Sequence, residues 1–275
     1  MRQQTIGFVG GGNMATALIS GLIDDGYAPQ NIWVSDLDKQ KLNVLAKQFG
    51  LNITSDNQHV VEHAQVLVLS VKPQTMRQVA EEISQPVLRL KPVIVSIAAG
   101  IRVVDLAKWL GGGVAIVRCM PNTPALVRTA ATALYANDQV SAEQRDVAES
   151  VMRAVGLVAW VDKESALDIV TALSGSGPAY FFLLMESMER AALELGLDTE
   201  TARLLIEQTA FGATKLALEV EGAPAELRKR VTSPGGTTQY AIDVFEKGDF
   251  SDLVGSALCA AYERSIELSN ELGGD

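Results

Sequence analysis

The 275-residue chain has little cysteine, little histidine, few aromatic residues and fewer cations than anions. Its two cysteines, Cys119 and Cys259, exclude a disulfide framework or a cysteine-rich metal site on count alone. The two histidines, His59 and His63, stand at an i, i+4 spacing that a zinc site could use, yet no carboxylate or thiolate pattern joins them. They read as solvated positions on one helix face, and no metal is expected. Lysine and arginine number 23 against 33 acidic residues, a formal charge of −10. With no basic patch and no interleaved aromatics, this argues against nucleic acid or an anionic membrane surface as partner. No run of about 20 apolar residues is present, so no membrane span is expected. The opening Met1-Arg2-Gln3-Gln4 leads directly into an apolar strand, so no signal peptide is expected either. The expected compartment is the cytoplasm, with both thiols reduced.

What is present is an ordinary globular composition, 48% apolar and 20% charged. The length suits two domains. Over about the first 160 residues, short β-rich runs alternate with helical stretches. Thr5 to Val9, Asn31 to Ser35, Val66 to Val71, Pro92 to Ile97 and Val114 to Met120 read as strands. Ala130 to Ala136 and Val155 to Val161 could add edge strands. Asn13 to Asp24 and Lys39 to Phe49 read as helices. Unbroken apolar runs such as Val66 to Val71 mark strands buried on both faces, hence a parallel sheet with right-handed crossovers. After Lys163 strand signals vanish. Helices are predicted over Pro178 to Leu195, Thr199 to Glu219, Pro224 to Val231, Thr237 to Glu246 and Ser251 to Leu272. The division expected is 1–163 and 164–275.

Gly10-Gly11-Gly12-Asn13-Met14-Ala15 follows the first strand and opens the first helix. It fits G-x-G-x-x-A, a dinucleotide fingerprint, in the strand–turn–helix context that fingerprint requires. Gly10 allows the tight turn, Gly12 lets the backbone approach a pyrophosphate, and the helix N-terminus offers N–H groups to it. At the end of the second strand, Asp36 suits the ribose hydroxyls of NAD, whereas Ser35 and Lys39 suit a 2′-phosphate; Asp38 alternatively caps a helix. Val71-Lys72-Pro73 ends the buried strand where ligands of open sheets sit. Lys72 faces the cofactor or is simply solvated. Ala98, in Ser96-Ile97-Ala98-Ala99-Gly100, marks close backbone approach or a tight turn. Ser233-Pro234-Gly235-Gly236-Thr237-Thr238 precedes a helix; its N–H groups and hydroxyls could cradle a carboxylate without lysine or arginine, or make an ordinary cap.

Four further blocks resemble the pyrroline-5-carboxylate reductase family: Ser70 to Gln74, Arg118 to Pro124, Leu173 to Tyr180 and Val231 to Thr238, with Ile6 to Ala15 as the opening one. The matches span residues 6 to 238. The resemblance implies an α/β Rossmann-type parallel-sheet N-terminal domain followed by an all-α C-terminal dimerisation domain. It implies a homodimer, assembled in the family into rings up to a decamer, with the active site formed between subunits. The reaction implied is NAD(P)H-dependent reduction of L-1-pyrroline-5-carboxylate to L-proline, with NADP(H) preferred and NAD(H) possible.

Residue roles follow from the same resemblance. Gly10, Gly11, Gly12, Asn13, Met14, Ser35, Asp36, Asn57, Val71, Lys72, Pro73, Ala98 and Ser176 are the expected cofactor contacts. Glu221, Val231, Ser233, Gly235, Gly236, Thr237 and Thr238 are the expected substrate contacts. Thr238 is the expected catalytic hydroxyl near the imine nitrogen. Two other functions share this architecture: an NAD(P) oxidoreductase for another imine or a hydroxy acid, and a non-catalytic dinucleotide-binding protein. The first would want a lysine or another strong acid or base on the first long helix of the helical half, and positions 178 to 195 hold no lysine. The second leaves the 235–238 loop unexplained.

Overall fold

The computed structural model describes residues 4–274. Eight strands form one sheet: β1 (Ile6–Val9), β2 (Ile32–Ser35), β3 (Asn52–Thr54), β4 (Val66–Leu69), β5 (Val93–Ser96), β6 (Ile116–Met120), β7 (Ala130–Ala136) and β8 (Gly156–Trp160). Their order is β3-β2-β1-β4-β5-β6-β7-β8. Every pairing is parallel except β6 with β7. The order reverses at β1, whose Ile6 pairs with both Ile32 and Val66. In an open parallel sheet, ligands bind at such a reversal, outside the carboxyl ends of the strands.

The apolar runs are continuous because both faces are covered. In β4, Val66 and Val68 enter one core with α1 (Asn13–Asp24), α2 (Lys39–Phe49) and α6 (Ala142–Arg153). Leu67 and Leu69 enter the other with α3 (Asn57–His63), α4 (Pro73–Leu90) and α5 (Val103–Trp109). Gly7 is fixed by this packing: a Cβ there would lie 2.5 Å from Val60 on α3. Asp38 caps α2 by accepting from the N–H groups of Gln40 and Lys41. His59 and His63 share one face of α3 and pack their rings on Trp33, with His63 stacked at 4.2 Å and still exposed to solvent. The short edge strand β3 escaped the sequence reading, because its three residues are only half-buried and carry no apolar run.

By contact the chain divides into two compact units. One holds the residues up to Ser176 together with those from Ala261 on; the other holds Gly177–Ala260. These limits do not coincide with a division at 163/164. The sheet unit keeps α7 (Ala166–Val170), a π-helical turn (Thr171–Gly175) and the end of α12 (Phe250–Gly273). There Ser265 of α12 donates its hydroxyl to Asp168 of α7 at 2.8 Å.

The helical unit contains α8 (Gly177–Glu194), α9 (Thr199–Glu219), α10 (Pro224–Arg230), α11 (Thr237–Lys247) and the start of α12. It buries only Gly177, Ala202 and Ile206. Leu204, Leu205, Phe211, Leu216 and Leu218 read from sequence as either an interface or the monomer's own core. All are exposed, Leu218 by 84%, so they are not a core within one chain. The helical stretch Ala166–Glu194 is also long and apolar enough to cross a bilayer by length and composition, with a mean hydropathy of 1.3 over its most apolar window. It is not an unbroken apolar run of the kind the sequence lacks, since polar residues such as Ser174 and Ser176 interrupt it.

Candidate active site

In the sheet unit, most of the expected cofactor residues stand at the carboxyl ends of β2, β1, β4 and β5, while Asn57 opens α3 after β3 and Ser176 follows the π-helical turn. Gly10 takes φ +99° as the chain leaves β1, and a Cβ there would press the Ser70 carbonyl at 2.8 Å. Its N–H donates to the Ser35 carbonyl at 2.8 Å. Ser70 ties the same turn to β4, its hydroxyl donating to the Gly10 carbonyl at 2.7 Å. Gly12 differs in kind. It caps α1 with ordinary dihedrals, and a Cβ there would meet no protein atom within 4 Å. Packing therefore does not demand glycine at 12, whereas a ligand lying on the turn would. The first turn of α1, with Asn13 and Met14, carries no side-chain cap and no acidic residue. Its N–H groups and dipole thus fit a pyrophosphate.

Ser35 and Asp36 alternate faces. Ser35 is fully buried, and its hydroxyl donates to Asn57 Oδ1 at 2.7 Å. The Asn57 amide in turn donates to Glu82. Asp36 points to the glycine turn. Its Oδ2 accepts from Gly11 N–H at 2.9 Å, and its Oδ1 accepts from Asp38 N–H at 2.9 Å. Lys41 Nζ pairs with Oδ2 at 3.1 Å. Burial pushes the Asp36 carboxyl upward, but the two N–H bonds and Lys41 outweigh it and leave it below its usual value. The cation here is Lys41, which the sequence reading missed in favour of Lys39.

After β4, Val71 is half-buried and Lys72 caps α4, with Pro73 at the first helical position. Lys72 is exposed. Ala98 is 5% exposed beyond β5. Ser176 closes the π turn, its N–H donating to Thr171 at 2.8 Å. Asn122 braces that turn: its amide donates to the Ser174 carbonyl at 3.2 Å, while its oxygen accepts from Ala131 N–H at 3.0 Å. Met120 presses on Gly175, where a Cβ would lie 2.4 Å from its terminal methyl. Two blocks some 50 residues apart in sequence thus meet in one place, and nothing in the sequence showed that Asn122 joins them.

In the helical unit, Val231, Ser233, Gly235 and Gly236 lie in the α10–α11 connection, Thr237 and Thr238 open α11, and Glu221 lies exposed in the α9–α10 connection. Gly235 takes φ +72°. Its N–H donates to Gln239 Oε1 at 2.7 Å, and that of Gly236 donates to the Ser233 carbonyl at 3.0 Å. This corrects the expectation that the two glycines offer their N–H groups. The donors left are those of the first turn of α11, whose N-cap Gly236 provides no side-chain cap, together with the Thr237 and Thr238 hydroxyls. A groove of about 590 Å³ elsewhere in this unit, lined by Leu184, Phe245 and Phe250 among others, contains none of the expected site residues.

Residues 164–268 match the model for pyrroline-5-carboxylate reductase dimerisation, and residues 5–100 that for NADP oxidoreductase, coenzyme F420-dependent. The pyrroline-5-carboxylate reductase of Pseudomonas aeruginosa is 50% identical over 273 residues, covering 99% of this chain and all of that one. The chain belongs to the pyrroline-5-carboxylate reductase family. A second relative of the same name, from Pasteurella multocida, is 41% identical over 98% of both chains. A solved pyrroline-5-carboxylate reductase from Coxiella burnetii superposes with a TM-score of 0.93 at 47% identity, covering 96% of this chain and 98% of that one. A solved pyrroline carboxylate reductase from Plasmodium falciparum, with NADP bound, gives a TM-score of 0.87 at 29% identity, covering 98% of this chain and 99% of that one. As a member of this family the chain is an NAD(P)-dependent oxidoreductase of proline biosynthesis.

Proposed function

We propose that this protein reduces L-1-pyrroline-5-carboxylate to L-proline, with the substrate carboxylate received at the start of α11. The observation that carries the reading is the uncapped first turn of α11, flanked by the Thr237 and Thr238 hydroxyls and preceded by the tight Ser233–Gly236 turn. Oriented N–H dipoles there suit a small anion without a cation.

The Gly10–Gly12 turn and the start of α1 would hold the dinucleotide's pyrophosphate. Asp36 and Asn57 stand on the adenosine side; Val71, Lys72, Pro73, Ala98 and Ser176 are assigned to the nicotinamide side. When bound, the dinucleotide supplies the hydride. A protonated imine is already electrophilic, so the chain's part is chiefly to orient the substrate and exclude water. Thr238 is assigned the proton-bearing contact to the ring nitrogen, with Glu221 and Val231 lining the pocket. A threonine hydroxyl is a weak acid, so its role is to orient or relay a proton.

NADP(H) ahead of NAD(H) is favoured by the NADP bound in the Plasmodium structure and by the match of residues 5–100 to an NADP oxidoreductase family; Asp36 stands against it. A homodimer is supported by the dimerisation model and by the exposed apolar residues of the helical unit; assembly to a decamer is a further step of the same proposal. A small-molecule substrate and no membrane partner complete it. The cytoplasm as compartment agrees with two unbridged cysteines. The test is turnover of pyrroline-5-carboxylate with NADPH and NADH, followed by loss of reduced-nicotinamide absorbance and by proline formed. Nucleotide binding without proline formation would reject the reading.

A further inference from the structure

Asp36 is the more rigid member of its pair. A different backbone N–H holds each of its oxygens, at 2.9 Å in both cases, so the carboxylate cannot turn from an incoming group without losing one. Its side chain is 15% exposed, whereas that of Lys41 is 42% exposed. Lys41 shares Oδ2 with the N–H of Gly11, so its ammonium stands beside the glycine turn on the adenosine side. Lys39, two residues earlier, has no contact with Asp36 among the ion pairs of the described residues. The Ser35 hydroxyl, the other candidate for a 2′-phosphate, is turned inward and spent on Asn57.

We infer that Asp36 and Lys41 act as one specificity device, in which the fixed carboxylate takes a free ribose 2′-hydroxyl and Lys41 swings to meet a 2′-phosphate. The inference rests on the dinucleotide reading of the glycine turn. A 2′-hydroxyl can donate to a carboxylate oxygen. A 2′-phosphate cannot, and is repelled by it, so acceptance of the phosphorylated cofactor falls to the nearest cation with a long flexible stem. The pair therefore discriminates in opposite directions: removing the carboxylate frees Lys41 for phosphate, and removing the lysine leaves the repulsion unrelieved.

The experiment is calorimetric titration of the whole protein with adenosine 2′,5′-bisphosphate and with adenosine 5′-monophosphate, alongside kcat/KM for NADPH and NADH. The readout is the bisphosphate-to-monophosphate affinity ratio. D36N is expected to raise it at least tenfold, with D36S as a second variant should D36N fail to fold. K41M is expected to lower it at least tenfold, and the NADPH-to-NADH ratio should move the same way in each variant. K39M should leave both ratios within twofold. An unchanged ratio in D36N and K41M, or a shift in K39M instead of K41M, would overturn the inference while leaving the dinucleotide reading intact. Binding of neither probe nor either cofactor by the unaltered protein would overturn both.

Discussion

The guanidinium of Arg118, 5% exposed on β6, meets Glu164 Oε1 at 2.8 Å, and the same oxygen accepts from Val103 N–H at 2.8 Å. One carboxylate thus neutralises a buried cation and caps the start of α5. Glu164→Ala leaves the arginine buried and unpaired, which costs about 3–5 kcal/mol. Arg118→Met leaves a partly exposed glutamate that water can reach, so its cost should be smaller. Denaturant unfolding of both single variants and the double variant checks this: the double should be more stable than Glu164→Ala alone. Equal losses in both singles would argue against it.

Gly10 and Gly12 should separate stability from binding. Gly10→Ala forces a side chain to φ +99° against the Ser70 carbonyl, so the melting temperature should fall clearly. Gly12→Val meets no protein atom at Cβ, so it should cost only the N-cap preference, about 1 kcal/mol. Its effect should fall on cofactor affinity, by at least a hundredfold. Retained affinity in a folded Gly12→Val protein, measured by nucleotide titration, would contradict the role given to the turn.

Thr238→Ala removes a hydroxyl from the first turn of α11 without disturbing a core, since the residue is exposed. We expect kcat to drop about 10- to 100-fold, equivalent to about 1.4–2.8 kcal/mol, with little change in the dissociation constant for NADPH. Thr238→Ser should restore most of the rate. An equal loss of NADPH affinity would count against the assignment.

Asp105 gives a pH signature. Burial pushes its carboxyl above the usual value, Arg102 pulls it back and Glu164 pushes it up again. Its Oδ2 is buried without a hydrogen-bond partner. A carboxyl with a raised folded value binds its proton more tightly when folded. Its contribution is thus most favourable at low pH and declines as pH rises from the unfolded value, about 3.9, through the folded one. Asp105→Asn removes that decline. The variant should melt higher than the parent at pH 7, and the gap should close toward pH 3. A variant that melts lower at pH 7 would show that the charge is needed.

The sheet was legible because a parallel strand buried on both faces is mostly apolar: β1 and β4 are apolar throughout, and β5 and β6 depart from that only at Ser96 and Arg118. The antiparallel turn from β6 to β7 was not, since β7 is apolar under either direction. In the candidate site, the glycine turn was readable because Gly10 answers a local backbone demand. Which way Ser35 and Asp36 point was not: the two are adjacent, and one residue of register decides which is inside. Lys41 was missed because it lies two residues inside a helix, where a lysine is ordinarily just a solvated position. The glycine N–H groups of the 235–236 turn were misjudged because Gln239, four residues on, reaches back to one of them.

The helical unit has a consequence of a different order. With three residues buried out of the 84 from Gly177 to Ala260, one copy cannot offset the entropy of ordering its helices from its own contacts. Whatever covers Phe181, Phe211 and Leu253 holds part of the folding free energy. If a second copy covers them, the stability of this unit is set by mass action, and a tenfold dilution removes about 1.4 kcal/mol of it. A measured melting temperature would then describe a protein concentration as much as a sequence.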